Sequence, residues 1–176
     1  NMAQLATALL PLTADREASI ARFTEIVQGF GDIFDREYAA VFARKIGLTP
    51  SEETGVLVDG LLRMMANIGA DYTLCFRALA TGKSQAYLGA HPDFADWHAR
   101  WQAAGPAQGA LAQVNPAIIP RNHLMEAMIS EAVAGDMQLF HALHEALKAP
   151  FSHCDTPRFI AAPDPQEVVT QTFCGT

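Results

Sequence analysis

Apolar residues recur at helical spacing through most of this sequence. Between Ala18 and Ile46, the positions Ile20, Phe23, Val27, Phe30, Phe34, Tyr38 and Val41 follow one another at intervals of three and four. Such a stripe is the signature of a helix facing a core. Gly29 and Gly31 interrupt it, so a kink or break is expected there. The same period returns in Val58, Leu61, Met65 and Ile68, in Tyr72, Cys75, Phe76 and Leu79, and in Phe94, Trp97 and Trp101. It returns again in Leu124, Met125, Met128, Ile129 and Ala132, and in Met137, Phe140, Leu143 and Leu147. No strand-like alternation competes with it until the last residues, where "EVVTQTF" allows at most a short strand. The expectation is an all-α chain.

Punctuation sets the element boundaries. In "GLTPSEE", Gly47 suits a helix C-cap, Thr49 an N-cap, Pro50 the first helical position and Glu52 the third, completing a capping box. Asp71 caps the helix that follows Gly69. "TGKSQAYLGAHPD" (Thr81 to Asp93) reads as a loop, and "AAGPAQG" ends the tryptophan helix. The two prolines of "VNPAIIPRN" forbid a continuous helix and favour an extended connector from Asn115 to Pro120. Gly135 and Asp136 leave so short a link between the last two helices that they should pack as an antiparallel αα-hairpin. Residues 2–150 thus form a helical region, and 151–176 an irregular tail. Asn1, ahead of Met2, is set aside as a residue left from tag cleavage.

The 176 residues are half hydrophobic and 18% charged, enough for one compact domain. The net charge of −7 comes from 12 basic and 19 acidic residues. It argues against nucleic acid and against an anionic membrane surface as partners, since both need a basic face. No apolar run approaches the roughly 18 residues that span a bilayer, and the start lacks a basic signal-peptide region. Cys75, Cys154 and Cys174 are too few and too far apart for a secreted disulfide framework, which points to a reducing, cytoplasmic setting.

Few residues suggest chemistry. "FHALHEALKAPFSHC" gathers His141, His144, Glu145, His153 and Cys154, but the spacing matches no zinc template and "HEALK" lacks the second histidine of a metalloprotease helix. Solvent-facing or capping histidines are the favoured reading, and no metal site is assigned. Arg121 either meets a phosphate or bonds the carbonyls of the connector it follows. The second is favoured, because an arginine opening a helix opposes the dipole and needs a specific acceptor. "TGKS" has only the end of a phosphate-binding loop, and "QGFGDIF" lies inside a helical pattern. No nucleophile, base and oxyanion hole assemble, so these residues alone make no enzyme.

Several segments together resemble one family. "FDREYAAVFARKIGL", "DYTLCFRALA", "FADWHARWQAA", "VNPAIIPRNHLMEAMISEAVAGDMQLFHALHEALKAPF" and the terminal "TFCGT" look like the C-terminal third of the selenoprotein O / YdiU family. Its members are protein adenylyltransferases with a pseudokinase fold. The resemblance implies the last helices of the kinase-like C-lobe and a helical extension beside them. The motifs for nucleotide and divalent metal lie upstream in the family, so no catalytic or cofactor-binding residue is assigned in this chain. ATP and magnesium are implied for the full-length protein, with its own kinase-like lobes and its protein substrates as partners. The position matched by Cys174 is selenocysteine or cysteine in the family, and is thought to pair with a cysteine of the catalytic region as a redox switch. Apart from those lobes the helices would expose apolar surface and self-associate. A stand-alone helical interaction module, or a small metal-binding bundle using His141, His144, His153 and Cys154, are the alternatives.

Overall fold

The computed structural model describes residues 1–152 and 156–171. The chain divides into two compact units, 1–42 and 43–176. Among the described residues it is helical, with no strand.

In the first unit, α1 (Met2–Leu9) runs through a 3-10 turn at Leu10–Leu12 into α2 (Arg16–Gln28), and the two helices pack together. Asp15 opens α2: its carboxylate accepts the Ala18 N–H at 3.0 Å. The helical pattern breaks at Gly29, and α3 (Phe30–Lys45) begins directly after it. Along α3 the rings of Phe30, Phe34, Tyr38 and Phe42 follow one another at centroid distances of 6.2, 5.9 and 4.5 Å. The periodic stripe was expected to face a core. Instead no residue from 1 to 42 is buried, and Phe34 is 53% exposed. Periodicity reports which residues share a face; whether anything covers that face depends on chain elsewhere.

The second unit starts with the end of α3. Gly47 adopts φ 75°, while its N–H reaches the Arg44 carbonyl at 3.0 Å and the Leu48 N–H reaches Ala43 at 2.9 Å. These paired bonds are a Schellman stop, which needs the left-handed conformation that glycine adopts without strain. The cap of α4 (Glu52–Asn67) falls on Ser51, not on the expected Thr49: Ser51 Oγ accepts the Thr54 N–H at 3.1 Å. Thr49 contributes its carbonyl instead, accepting the Thr54 hydroxyl at 2.8 Å. Leu57, Val58, Leu61, Met64 and Met65 are buried along α4.

Asp71 caps α5 (Tyr72–Thr81), which buries Cys75, Phe76, Ala78 and Leu79. The segment read as a loop contains a short helix, α6 (Ser84–Leu88), whose ends Ser84 and Leu88 are buried. Five residues are too few to show a period, so only burial identifies this element. In α7 (Phe94–Ala103), Phe94, Trp97 and Trp101 are buried, and Trp97 Nε1 donates to the Leu57 carbonyl of α4 at 2.8 Å. Gly60 makes room for that indole, since a Cβ there would sit 3.2 Å from Trp97 Cδ1. A further helix that the periodicity did not reveal, α8 (Gln108–Val114), precedes the connector and buries Leu111.

After the connector, α9 (Asn122–Val133) and α10 (Gln138–Leu147) pack as the expected hairpin. Leu139 and Leu143 are the buried residues of α10, whereas Met137 and Phe140, expected inward, are exposed. The hairpin closes on Ala117 and Ile118 of the connector, whose N–H groups both reach the Pro150 carbonyl, at 2.7 and 3.2 Å. Phe159, from α11 (Pro157–Ile160), joins the same cluster. A 3-10 turn at Pro165–Glu167 follows, capped by Asp164.

Candidate functional site

The residues with most polar work to do converge where α3 ends, α5 begins and the proline connector runs. A helix end leaves carbonyls without intrahelical partners, and α3 presents three in succession. The Lys45 carbonyl accepts from Asn115 Nδ2 at 2.8 Å, that of Ile46 from Trp101 Nε1 at 2.7 Å, and that of Gly47 from the Ala107 N–H at 2.8 Å. Asn115 is fully buried, and its Oδ1 accepts the Lys45 ammonium at 2.9 Å. That ammonium also lies 4.5 Å from the Phe76 ring centroid and 5.4 Å from that of Tyr72. Burial lowers the Lys45 pKa, and the ring faces and the amide oxygen offset part of that cost. Arg77 Nη1 donates to the carbonyls of Ala112 and Asn115, both at 2.9 Å, which closes the end of α8.

Arg121 has a specific acceptor, but not the connector carbonyls. Its guanidinium grips the Asp71 carboxylate with Nη1 on Oδ2 at 2.7 Å and Nη2 on Oδ1 at 3.1 Å. Asp71 Oδ1 also accepts the Leu74 N–H at 2.8 Å, so one carboxylate caps α5 and anchors the start of α9. Burial alone would raise the Asp71 pKa; the bonds from Arg121 and the Leu74 N–H outweigh it and hold the carboxyl below its ordinary value. With its fork committed to Asp71, Arg121 is occupied as a structural clamp. Asp71 was legible as a cap, but its second role requires knowing that residue 121 folds back beside it.

The other candidates stay apart. His141 and His144 are exposed on α10, where the His144 ring lies parallel to Phe140 at 6.0 Å, and Glu145 pairs with Lys148. Among the described residues no three His, Cys, Asp or Glu side chains gather to hold a metal ion. His153, Cys154 and Cys174 lie outside the described residues. Cys75 is fully buried; burial first, and then the nearby Asp71 charge, push its thiol up to about 11. That environment makes it inert packing at neutral pH.

A groove of about 470 Å³ runs between α4 and α7, lined in part by Arg63, His91, Asp93, Asp96, Trp97 and Arg100. His91 forms part of its wall, with Nδ1 accepting the Asp93 N–H at 3.2 Å and Nε2 3.3 Å from the Asn67 carboxamide. Two arginines and two aspartates leave the groove without a dominant charge. Neither an anion nor a cation is selected by it.

The family model described as protein adenylyltransferase SelO matches residues 1–148. The chain belongs to the SelO family. Relatives of this SelO-family chain include two named protein nucleotidyltransferase YdiU, from Jannaschia sp. (strain CCS1) and Ruegeria pomeroyi, at 43% and 40% identity. A third, from Nitrobacter winogradskyi, carries the same name at 39% identity. Each comparison covers all of this chain but only 39% of the relative, whose C-terminal portion it resembles. The Asp71–Arg121 clamp and the Lys45–Asn115 lock both fall inside the stretch matched to SelO.

Among the described residues, the segment and side chains singled out for nucleotide or metal chemistry are committed to other roles. "TGKS" closes α5, with Gly82 in the left-handed cap conformation, and opens α6; it does not form a phosphate cradle. Arg121 is paired, and the acidic side chains do not converge. What this arrangement does is tie helix ends together through hydrogen bonds.

Proposed function

We propose that this chain is the non-catalytic C-terminal region of a SelO-type protein adenylyltransferase. The observation that carries the reading is the SelO match over residues 1–148, together with relatives named protein nucleotidyltransferase that extend well beyond this chain. In the whole protein, kinase-like lobes upstream transfer AMP from ATP to Ser, Thr or Tyr hydroxyls of protein substrates, with magnesium. The helices described here brace those lobes, and the protein works in the cytoplasm without nucleic acid or membrane partners. Among the described residues no helix is long and apolar enough to cross a membrane. Expressed without the lobes, the chain self-associates, which multi-angle light scattering reads as a mass that rises with concentration.

Cys174 is the redox element of this proposal. Its thiol and one in the catalytic lobes give up two electrons and two protons to an oxidant such as glutathione disulfide, forming a disulfide that restrains the enzyme. The test is intact mass of the full-length protein after incubation with ATP and magnesium, with and without reductant, beside a Cys174→Ser variant. AMP addition that needs reductant in the parent but not in the variant supports both parts. No added AMP under any condition removes the activity.

A further inference from the structure

We propose that Phe159 is a peg that fixes where the C-terminal tail departs from the fold, and that it thereby sets the reach of the Cys174 thiol. This rests on the reading of Cys174 as a redox element. Beyond Leu143, Phe159 is the one buried side chain among the described residues. Its ring is 6% exposed and packs in the cluster of Ala117, Ile118, Leu124, Leu139 and Leu143, so the connector and both helices of the hairpin form its seat. Arg158 beside it has Nη2 at 3.8 Å from Glu131, an exposed pair that adds little. Ahead of the peg, the chain is tied at Pro150, whose carbonyl accepts the N–H groups of Ala117 and Ile118. Past the peg, no side chain from Ala161 to Gln171 is buried. The turn at Pro165–Glu167 is held by bonds within itself, from the Asp164 N–H to Glu167 Oε2 at 2.9 Å and from the Glu167 N–H to the Asp164 carbonyl at 2.8 Å.

A tail seated at one point acts as a leash from that point. Cys174 lies 15 positions beyond Phe159 but 24 beyond Pro150. Once a leash spans its gap, the effective concentration of what it carries falls as about the −3/2 power of its length. Seated at Phe159, the thiol is therefore about twice as concentrated at its partner as it is when the leash runs from Pro150. The peg takes no part in the chemistry. Two thiols lose two electrons and two protons to glutathione disulfide, which leaves as two glutathione thiols, and the new bond joins Cys174 to the catalytic lobes. Phe159 is a positioning residue: it sets how far that equilibrium lies toward the closed form.

Inserts on either side of the peg test this in the full-length protein, equilibrated with reduced and oxidised glutathione and read as disulfide fraction by intact mass after alkylation. A Gly/Ser insert as long as the leash, placed between the exposed Ala161 and Ala162, doubles the chain past the peg. It should lower the disulfide equilibrium constant by about threefold. The same insert placed after Ser152, ahead of the peg, should leave that constant unchanged. In Phe159→Ala the two inserts should lower it alike, by about twofold, because no peg separates them. Equal effects of the two inserts in the parent overturn the proposal, and so does no effect from either. If Phe159→Ala fails to fold, the two inserts in the parent still decide. A disulfide that forms but ignores the position of the insert leaves the redox reading standing and removes the peg. No Cys174 disulfide in the parent at any glutathione ratio removes the redox reading, and the peg with it.

Discussion

Arg121 donates two hydrogen bonds to Asp71, a residue 50 positions away in the chain, at 2.7 and 3.1 Å. The guanidinium is 7% exposed and the carboxylate 21%, so the pair is largely withdrawn from water. Removing one partner of such a pair strands the other. Arg121→Ala should therefore destabilise the protein by about 3 kcal/mol, measured as a lower midpoint in urea. Arg121→Lys should recover only part of this, because an ammonium supplies the charge without the two-pronged geometry.

The same pair sets a pH dependence. The folded Asp71 carboxyl titrates below its ordinary value of 3.8. Above that ordinary value the carboxylate is ionised in both folded and unfolded chains, and its contribution is fully present. As pH falls through the ordinary value toward the lowered folded one, the unfolded chain takes up the proton first and the contribution is lost. An Asp71→Asn variant keeps an oxygen for the Leu74 N–H but cannot ionise. Urea midpoints from pH 6 down to pH 3 should fall less steeply in the variant than in the parent.

Cys75 titrates the opposite way. With its folded thiol pushed up to about 11 from an ordinary 9.0, it contributes fully below pH 9 and loses that contribution as pH rises toward 11. Cys75→Ala should flatten the alkaline limb of the stability profile. In the folded protein at pH 8, iodoacetamide should leave Cys75 unmodified until denaturant is added, read by peptide mass.

Asn115 joins α3 to α8 through both ends of its carboxamide. Asn115→Leu leaves the Lys45 carbonyl without its donor and the Lys45 ammonium without an oxygen. A cost of about 2–3 kcal/mol is expected. Lys45→Met alone should cost less, since the rings of Tyr72 and Phe76 accept a thioether readily.

Two glycines of α4 make a matched comparison. Nothing lies within 4 Å of a Cβ built on Gly55, so Gly55→Ala should stabilise by about 0.5–1 kcal/mol. At Gly60 the added methyl meets Trp97 at 3.2 Å, and that indole is held by its bond to the Leu57 carbonyl. Gly60→Ala should lose the propensity gain and lower the melting temperature, read by circular dichroism on both variants.

The helical class, the break at Gly29, the stops at Gly47 and Gly135 and the cap at Asp71 follow from local rules, since each depends on residues within about one turn. Local rules chose Thr49 over Ser51 as the cap of α4, because both carry a suitable oxygen and the backbone path between them decides. They also missed α6 and α8, which are too short to show a period and are held by burying Leu88 and Leu111. Tertiary structure alone decided the rest. Arg121 could be read as needing an acceptor, but that the acceptor is Asp71 follows from chain folded back across 50 positions. The stripe from Phe30 to Val41 could be read as one face of a helix, but its exposure could not, because burial belongs to whatever packs against a face and not to the residues that form it.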